Sequence, residues 1–241
     1  MMRGWWGRQS VVGSGTGAKW TGWVAVLVLA ACTRGQTEAQ ERVFGEVAWE
    51  GSSFPYAVHL PGTYVEGRGY PVLLGPGAAT PSSDPSFFWP GGSEDSEWVI
   101  VESMAWLEGN DPIGRTRALI AELRDRYQPE GGKFHLLGYS ASSGPAFSVA
   151  LAIPDEFHSI TGLPGHPNAR GEGLDRLRDV RVQIIVGEND GYWLRAAQDA
   201  ETRMSERGID VSLEIYPDGG HALAVLKGKP FLDRMERLRV P

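Results

Sequence analysis

Three polar residues, far apart along the 241-residue chain, have the types and order that nucleophilic catalysis needs: Ser140, Asp190 and His221. Ser140 lies in Lys133-Phe-His-Leu-Leu-Gly-Tyr-Ser-Ala-Ser-Ser-Gly144. An apolar, strand-like run stops at Gly138, the serine sits in a tight turn, and small residues open a helix-like segment over 145–153. A strained strand–turn–helix of this kind lifts a serine hydroxyl clear of the backbone at the end of a sheet. The hydroxyl is a poor nucleophile until a base takes its proton, and the base needs an acid to orient it. His221, after Gly219-Gly220, has the freedom to reach a serine as base. Asp190, in Gly187-Glu-Asn-Asp190, is the orienting acid. Glu188 is its rival, and Asp190 also reads as a helix N-cap, since a helical pattern follows.

The tetrahedral oxyanion formed by serine attack needs N–H donors. The residue after the nucleophile, Ala141, offers one. A second is expected from the loop after the strand-like 70–74, which reads Gly75-Pro-Gly77-Ala78. Proline has no N–H, so that donor is Gly77 or Ala78. Residues 80–98 then form a long irregular stretch holding Phe88, Trp89 and several acids. They read either as a pocket wall or as a loop whose aromatics cover the core. Phe88, Trp89, Tyr139 and His166 are the candidate substrate-contacting residues, with His166 at the rim. Trp106 and Trp193 leave the same choice open. His59, His135 and His158 lie in or beside strands and read as packing or surface residues.

The elements that must position these groups alternate. Strand patterns cover 43–49, 56–60, 70–74, 98–101, 134–137, 158–161, 180–186 and 211–216. Amphipathic helices cover 113–127, 145–153, 193–207 and 231–238. Such alternation predicts an α/β domain with a mostly parallel sheet and helices on both faces. Gly77, Ser140, Asp190 and His221 each follow a strand, at the carboxyl end where functional groups collect in such sheets.

The composition bounds the rest. At 41% hydrophobic, the chain can bury the core of one ordinary domain. Residues 1–31 hold Arg3, Arg8 and Lys19 and no acid; without them 20 basic and 30 acidic residues remain, a net −10 from the full chain's −7. A strongly acidic domain without a basic patch argues against nucleic acid as a partner. Cys32 is the single cysteine, which excludes an intrachain disulfide and a cysteine-based zinc cluster. No metal or organic cofactor is implied. Gly13-Ser-Gly-Thr-Gly17 lacks the preceding strand and the lysine of a phosphate loop.

Residues 20–31 form an apolar run preceded by basic residues and too short to span a bilayer, the pattern of an export signal. The run ends in Leu29-Ala30-Ala31-Cys32, which resembles the lipobox of bacterial lipoproteins. That resemblance implies cleavage before Cys32, lipidation of its thiol and a domain held on the membrane of the cell envelope. The expected organisation is a signal over 1–31, a polar tether over 32–42 and a folded domain over 43–241.

Within that domain the chain resembles the α/β-hydrolases, and more narrowly the secreted polyhydroxyalkanoate-depolymerase and feruloyl-esterase type. Tyr56-Ala-Val-His-Leu-Pro-Gly-Thr-Tyr64 with Tyr70-Pro-Val-Leu-Leu74 is similar to their paired first strands. Gly138-Tyr-Ser-Ala-Ser142 and Pro154-Asp-Glu-Phe157 are similar to their elbow and the segment after it. Gly187-Glu-Asn-Asp190 and Gly219-Gly-His221 match their acid and base loops. Two departures stand out. Ser142 and Ser143 occupy places usually held by glycine, which implies slight strain in the elbow. Gly75-Pro76 replaces a His-Gly. The resemblance implies an esterase acting on a small-molecule or polymeric ester. A peptidase or amidase with the same three residues, and a catalytically weak envelope binding protein on the same scaffold, remain alternatives.

Overall fold

The computed structural model describes residues 42–239 apart from 87 and 91. The expected signal, Cys32 and residues 32–41 of the expected tether lie outside the described residues. Arg42, assigned to the tether above, is the first residue of a strand.

Eight strands form one sheet: β1 (Arg42–Trp49), β2 (Ser52–His59), β3 (Val72–Pro76), β4 (Val99–Ser103), β5 (Phe134–Gly138), β6 (Phe157–Gly162), β7 (Arg181–Gly187) and β8 (Val211–Tyr216). Their spatial order is β1-β2-β4-β3-β5-β6-β7-β8. β2 runs antiparallel to both β1 and β4, and every other pairing is parallel. Parallel neighbours need a covering crossover, which is why β3, β4, β5 and β7 read as mostly apolar runs rather than alternating ones.

The crossovers are α1 (Pro112–Tyr127), α2 (Ser143–Ala152) and α3 (Gly191–Ser205), and α4 (Lys229–Glu236) closes the chain. Strand parity divides the core into two layers. Val72, Leu74, Val99, Val101, Leu136, Ile184 and Val186 face one way, against Leu119 and Leu123 of α1, Phe147 of α2 and Ala200 and Met204 of α3. Their neighbours Leu73, Ile100, Leu137 and Ile185 face the other way, against Phe231, Leu232 and Met235 of α4. α4 is too short to cover that second face alone. Phe88, Trp89 and Trp98 of the β3–β4 connection complete it. Trp106 is buried in the first layer as a packing residue.

α1 starts where Asp111 accepts an N-cap hydrogen bond from the Gly114 N–H at 2.9 Å, with Pro112 in the first turn. Tyr70 pairs only through an isolated bridge to Pro129, so β3 begins two residues later than the sequence pattern suggests.

Candidate active site

β5 ends at Gly138, where a side chain has no room: a Cβ would sit 2.5 Å from the Ser143 Cα of α2. Tyr139 stays extended, and Ser140 then takes φ +50°. A non-glycine residue in this left-handed region costs energy and persists only where its surroundings enforce it. The enforcing contacts are visible. The Ser140 N–H donates to the Pro164 carbonyl at 3.0 Å. The Ser142 hydroxyl accepts from the Tyr139 N–H at 2.8 Å and lies 2.7 Å from the Tyr139 carbonyl. The Ser143 hydroxyl donates to the Ser140 carbonyl at 2.6 Å.

The two serines that replace glycine therefore fasten the turn rather than merely strain it. The glycines needed for close packing come from the β6 side. A Cβ at Gly165 would lie 2.3 Å from the Ser143 Cβ, and one at Gly162 would lie 2.3 Å from the Gly165 carbonyl oxygen.

The acid and base loops are stitched to each other. Glu188 N–H donates to the Tyr216 carbonyl at 3.0 Å and Asn189 N–H to the Gly219 carbonyl at 2.8 Å. A Cβ at Gly187 would meet the Gly219 and Gly220 carbonyl oxygens at 2.3 and 2.4 Å. Of the two glycines before His221, Gly219 serves close backbone approach, while a Cβ at Gly220 would meet nothing within 4 Å. Glu188, the rival acid, turns away and accepts from the Asp218 N–H at 3.1 Å. Asp190 occupies the N-cap position of α3, but its side chain does not cap the helix.

The Asp190 carboxylate instead lies 2.6 Å from His221 Nδ1, through Oδ2, and His221 Nε2 lies 2.8 Å from the Ser140 hydroxyl. A carboxylate only accepts, so Nδ1 carries the proton and Nε2 accepts from the serine. Asp190 is 12% exposed and His221 is 42% exposed, so the acid is shielded while the base is open to solvent.

A cavity of about 620 Å³ opens beside Ser140. Pro76, Gly77 and Ala78 line one side, Tyr139, Ala141 and Ser142 another, and Asp84, Ser86, Phe88, Met104 and Leu107 the remainder. Gly77, Ala78 and Ala141, the expected oxyanion donors, thus border the same space as the hydroxyl. No residue of the Asp190 or His221 loops lines it.

Aromatic rings run past the base. Tyr139 and Trp193 flank His221 with centroids 6.1 and 5.9 Å away, and Phe88 stands edge-on to Tyr139 at 4.9 Å. Burial, and then the Asp190 charge, push the Tyr139 hydroxyl pKa up.

One expected substrate contact, Trp89, lies elsewhere. Trp89 is completely buried, and its indole N–H donates to Glu102 at 2.9 Å, so it is a core residue and not a cavity wall. His166, expected at the rim, packs against Trp193 at 5.7 Å, one ring beyond His221. Asp84, Ser86, Met104 and Leu107 line the cavity but carry no local sequence motif that marks them. Glu102 had a usable signal, an acid at the end of the apolar run Val99-Ile-Val101. His59, read as a packing or surface residue, is buried with Nε2 3.2 Å from Glu102.

No protein-family model and no curated protein matches the sequence. Solved structures do. A thermostable esterase aligns at 13% identity and TM-score 0.56, over 82% of this chain and 60% of that one. A ferulic acid esterase aligns at 17% identity and TM-score 0.55, over 81% and 97%. A dienelactone hydrolase from Anabaena variabilis aligns at 16% identity and TM-score 0.54, over 82% and 94%. These likenesses, together with the sheet order, show that the chain has the α/β-hydrolase fold.

Proposed function

We propose that this protein is a serine hydrolase that cleaves a carboxylic ester through an acyl-enzyme on Ser140. One observation carries the reading: a continuous Ser140–His221–Asp190 relay, at 2.8 and 2.6 Å, stands beside an apolar cavity that Gly77, Ala78 and Ala141 line. His221 Nε2 takes the hydroxyl proton as Ser140 Oγ bonds to the ester carbonyl carbon. The carbonyl oxygen becomes an oxyanion facing the N–H groups of Ala141 and of Gly77 or Ala78. The C–O bond to the alcohol breaks, and the leaving oxygen takes the proton from His221. Water then attacks the acyl-enzyme by the same steps, with His221 again as base.

The leaving oxygen must lie beside His221 to receive its proton. The cavity is on the other side, walled by Phe88, Met104 and Leu107, and so accommodates the acyl group. The fold neighbours that are esterases and a lactone-opening hydrolase agree with an ester substrate. The unbroken relay weighs against a binding-only domain.

A fluorophosphonate probe should label the wild-type protein and not Ser140→Ala. Ser140→Ala and His221→Ala should each lower turnover of p-nitrophenyl esters by roughly four to six orders of magnitude with the fold retained. Full activity in Ser140→Ala would end the assignment. Faster turnover of peptide anilides than of matched esters would move it to the amidase reading.

The proposal extends to location: Cys32 is lipidated after export and holds the domain on the cell envelope, as the Leu29-Ala30-Ala31-Cys32 sequence supports. Intact-mass analysis of membrane-extracted protein should find a diacylglyceryl cysteine at the new N-terminus. An unmodified Cys32 would refute it.

A further inference from the structure

We propose that Glu102 and Arg42 are positioning residues for the oxyanion loop, an internal ion pair that sets the 77–86 backbone at its working height against Ser140. The proposal rests on the serine-hydrolase reading above.

Glu102 lies near the end of β4, paired in register with Gly75 of β3. It is fully buried, and among the described residues no other carboxylate is. Taking a carboxylate out of water costs several kcal/mol unless donors replace the water. Here they do. Arg42 Nη2 donates to Oε2 at 2.5 Å. The Ser86 N–H and the Trp89 indole N–H donate to Oε1 at 2.5 and 2.9 Å. Burial alone raises the Glu102 pKa, but the hydrogen bonds from His59, Ser86 and Trp89 outweigh it, and the net direction is down. The group stays ionised.

These donors are not scattered. Ser86 and Trp89 belong to the connection that leaves the oxyanion segment, and Arg42 reaches the same connection from β1. Its Nη1 donates to the Ser83 carbonyl at 2.6 Å and its Nη2 to the Ala78 carbonyl at 3.1 Å. The Ser83 hydroxyl donates to that Ala78 carbonyl as well. The carbonyl of residue 78 is thereby held, and with it the rotation of a residue whose own N–H is a candidate oxyanion donor. Gly77 rests directly on the carboxylate's stem: a Cβ there would lie 2.9–3.0 Å from the Glu102 Cβ, Cγ and Cδ. An irregular loop has no ladder to hold it, so two side chains hold it at 78, 83, 86 and 89.

A well-packed apolar pair at 42 and 102 would stabilise as much or more. It would leave the Ser86 and Trp89 N–H groups without a charged acceptor and release Ala78. The pair therefore acts on geometry. Oxyanion donors strengthen as charge develops in the transition state, so misplacing them lowers kcat and leaves KM nearly unchanged.

The test uses the full chain with two variants, Glu102→Gln and Arg42→Met. Glu102→Gln keeps the shape and an acceptor but removes the charge; Arg42→Met keeps the stem and removes the donors. Steady-state kinetics on p-nitrophenyl butyrate, the affinity of a phenylboronic acid that forms a tetrahedral adduct on Ser140, the pH profile and Tm are read for each. Asp175→Asn, which breaks a surface pair with Arg207, serves as a control that lowers Tm away from the site. We expect kcat to fall about 10- to 100-fold in both variants with KM within about twofold. Boronate affinity should fall by a similar factor and the pH inflection should stay in place, while Asp175→Asn keeps wild-type kcat. Wild-type kcat and boronate affinity in folded Glu102→Gln or, should that variant not fold, in Arg42→Met overturn the proposal and leave the serine-hydrolase reading standing. A wild-type protein that neither turns over esters nor binds the boronate overturns both.

Discussion

Replacing Asp190 by asparagine separates an electrostatic role for this residue from a merely structural one. When Ser140 gives up its proton, an imidazolium forms with Nδ1 2.6 Å from the Asp190 carboxylate. Two unit charges centred about 4 Å apart attract by about 4 kcal/mol at an effective dielectric of about 20. His221 is 42% exposed, and solvent screening trims that figure. About 3 kcal/mol remains, roughly a hundredfold in rate. Asparagine adds a second loss. Its amide N–H can face Nδ1 and favour the tautomer whose Nε2 carries the proton, and that nitrogen cannot accept from Ser140. Together these predict a fall in kcat of about 10³- to 10⁴-fold, with KM little changed because the charge pair exists only after proton transfer. Initial rates on p-nitrophenyl butyrate, taken on the pH plateau of the wild-type enzyme, read it directly. Glu188→Gln is the control: its carboxylate serves Asp218 N–H, and kcat should stay within about twofold. An Asp190→Asn enzyme within about tenfold of wild type, or an inactive Glu188→Gln, would refute the reasoning.

His135 is buried against Trp98 and Ser159, and burial, with the nearby His158, Arg239 and Arg181 charges, holds its pKa down to about 3. Unfolding restores about 6.5, so the stability it contributes is full above that pH. It is lost at about 1.4 kcal/mol per pH unit as pH falls from there toward 3. His135→Phe with Ser159→Ala should flatten urea midpoints between pH 6.5 and 4.5, and an unchanged slope would count against it. Gly187→Ala forces a Cβ into the Gly219 and Gly220 carbonyls, so it should cost at least about tenfold in kcat and lower Tm, both absent if the loops part freely. Ser142→Gly removes the staple on Tyr139 and should cost about 1 kcal/mol in denaturation while Ser140 still reacts with a fluorophosphonate. No measurable loss would show the staple to be idle.

The parts legible in the sequence are those whose signal is local. Residues 211–216 read as a strand from their own alternation, and 113–127 as a helix from spacing alone; the structure has β8 over Val211–Tyr216 and α1 over Pro112–Tyr127. The order Ser140, Asp190, His221 is legible because each residue lies in a loop shortly after a strand-like run, and the three side chains do lie within hydrogen-bond distance. What the sequence concealed is set by distant partners. Arg42 and Glu102 are 60 positions apart, and nothing near either one announces the other. Trp89 has the composition of a pocket wall, and only the shortness of α4 explains why it is needed in the core. The serines at 142 and 143 read as a cost because the compensating glycines, 162 and 165, stand at and just past the end of the next strand.

The positive φ of Ser140 makes the nucleophile a gauge of how firmly α2 is docked. Loosening that helix lets the backbone relax to an ordinary conformation and withdraws the hydroxyl, while the remaining strands keep their pairing. Heat inactivation should then run several degrees ahead of the melting seen by circular dichroism, and return on cooling.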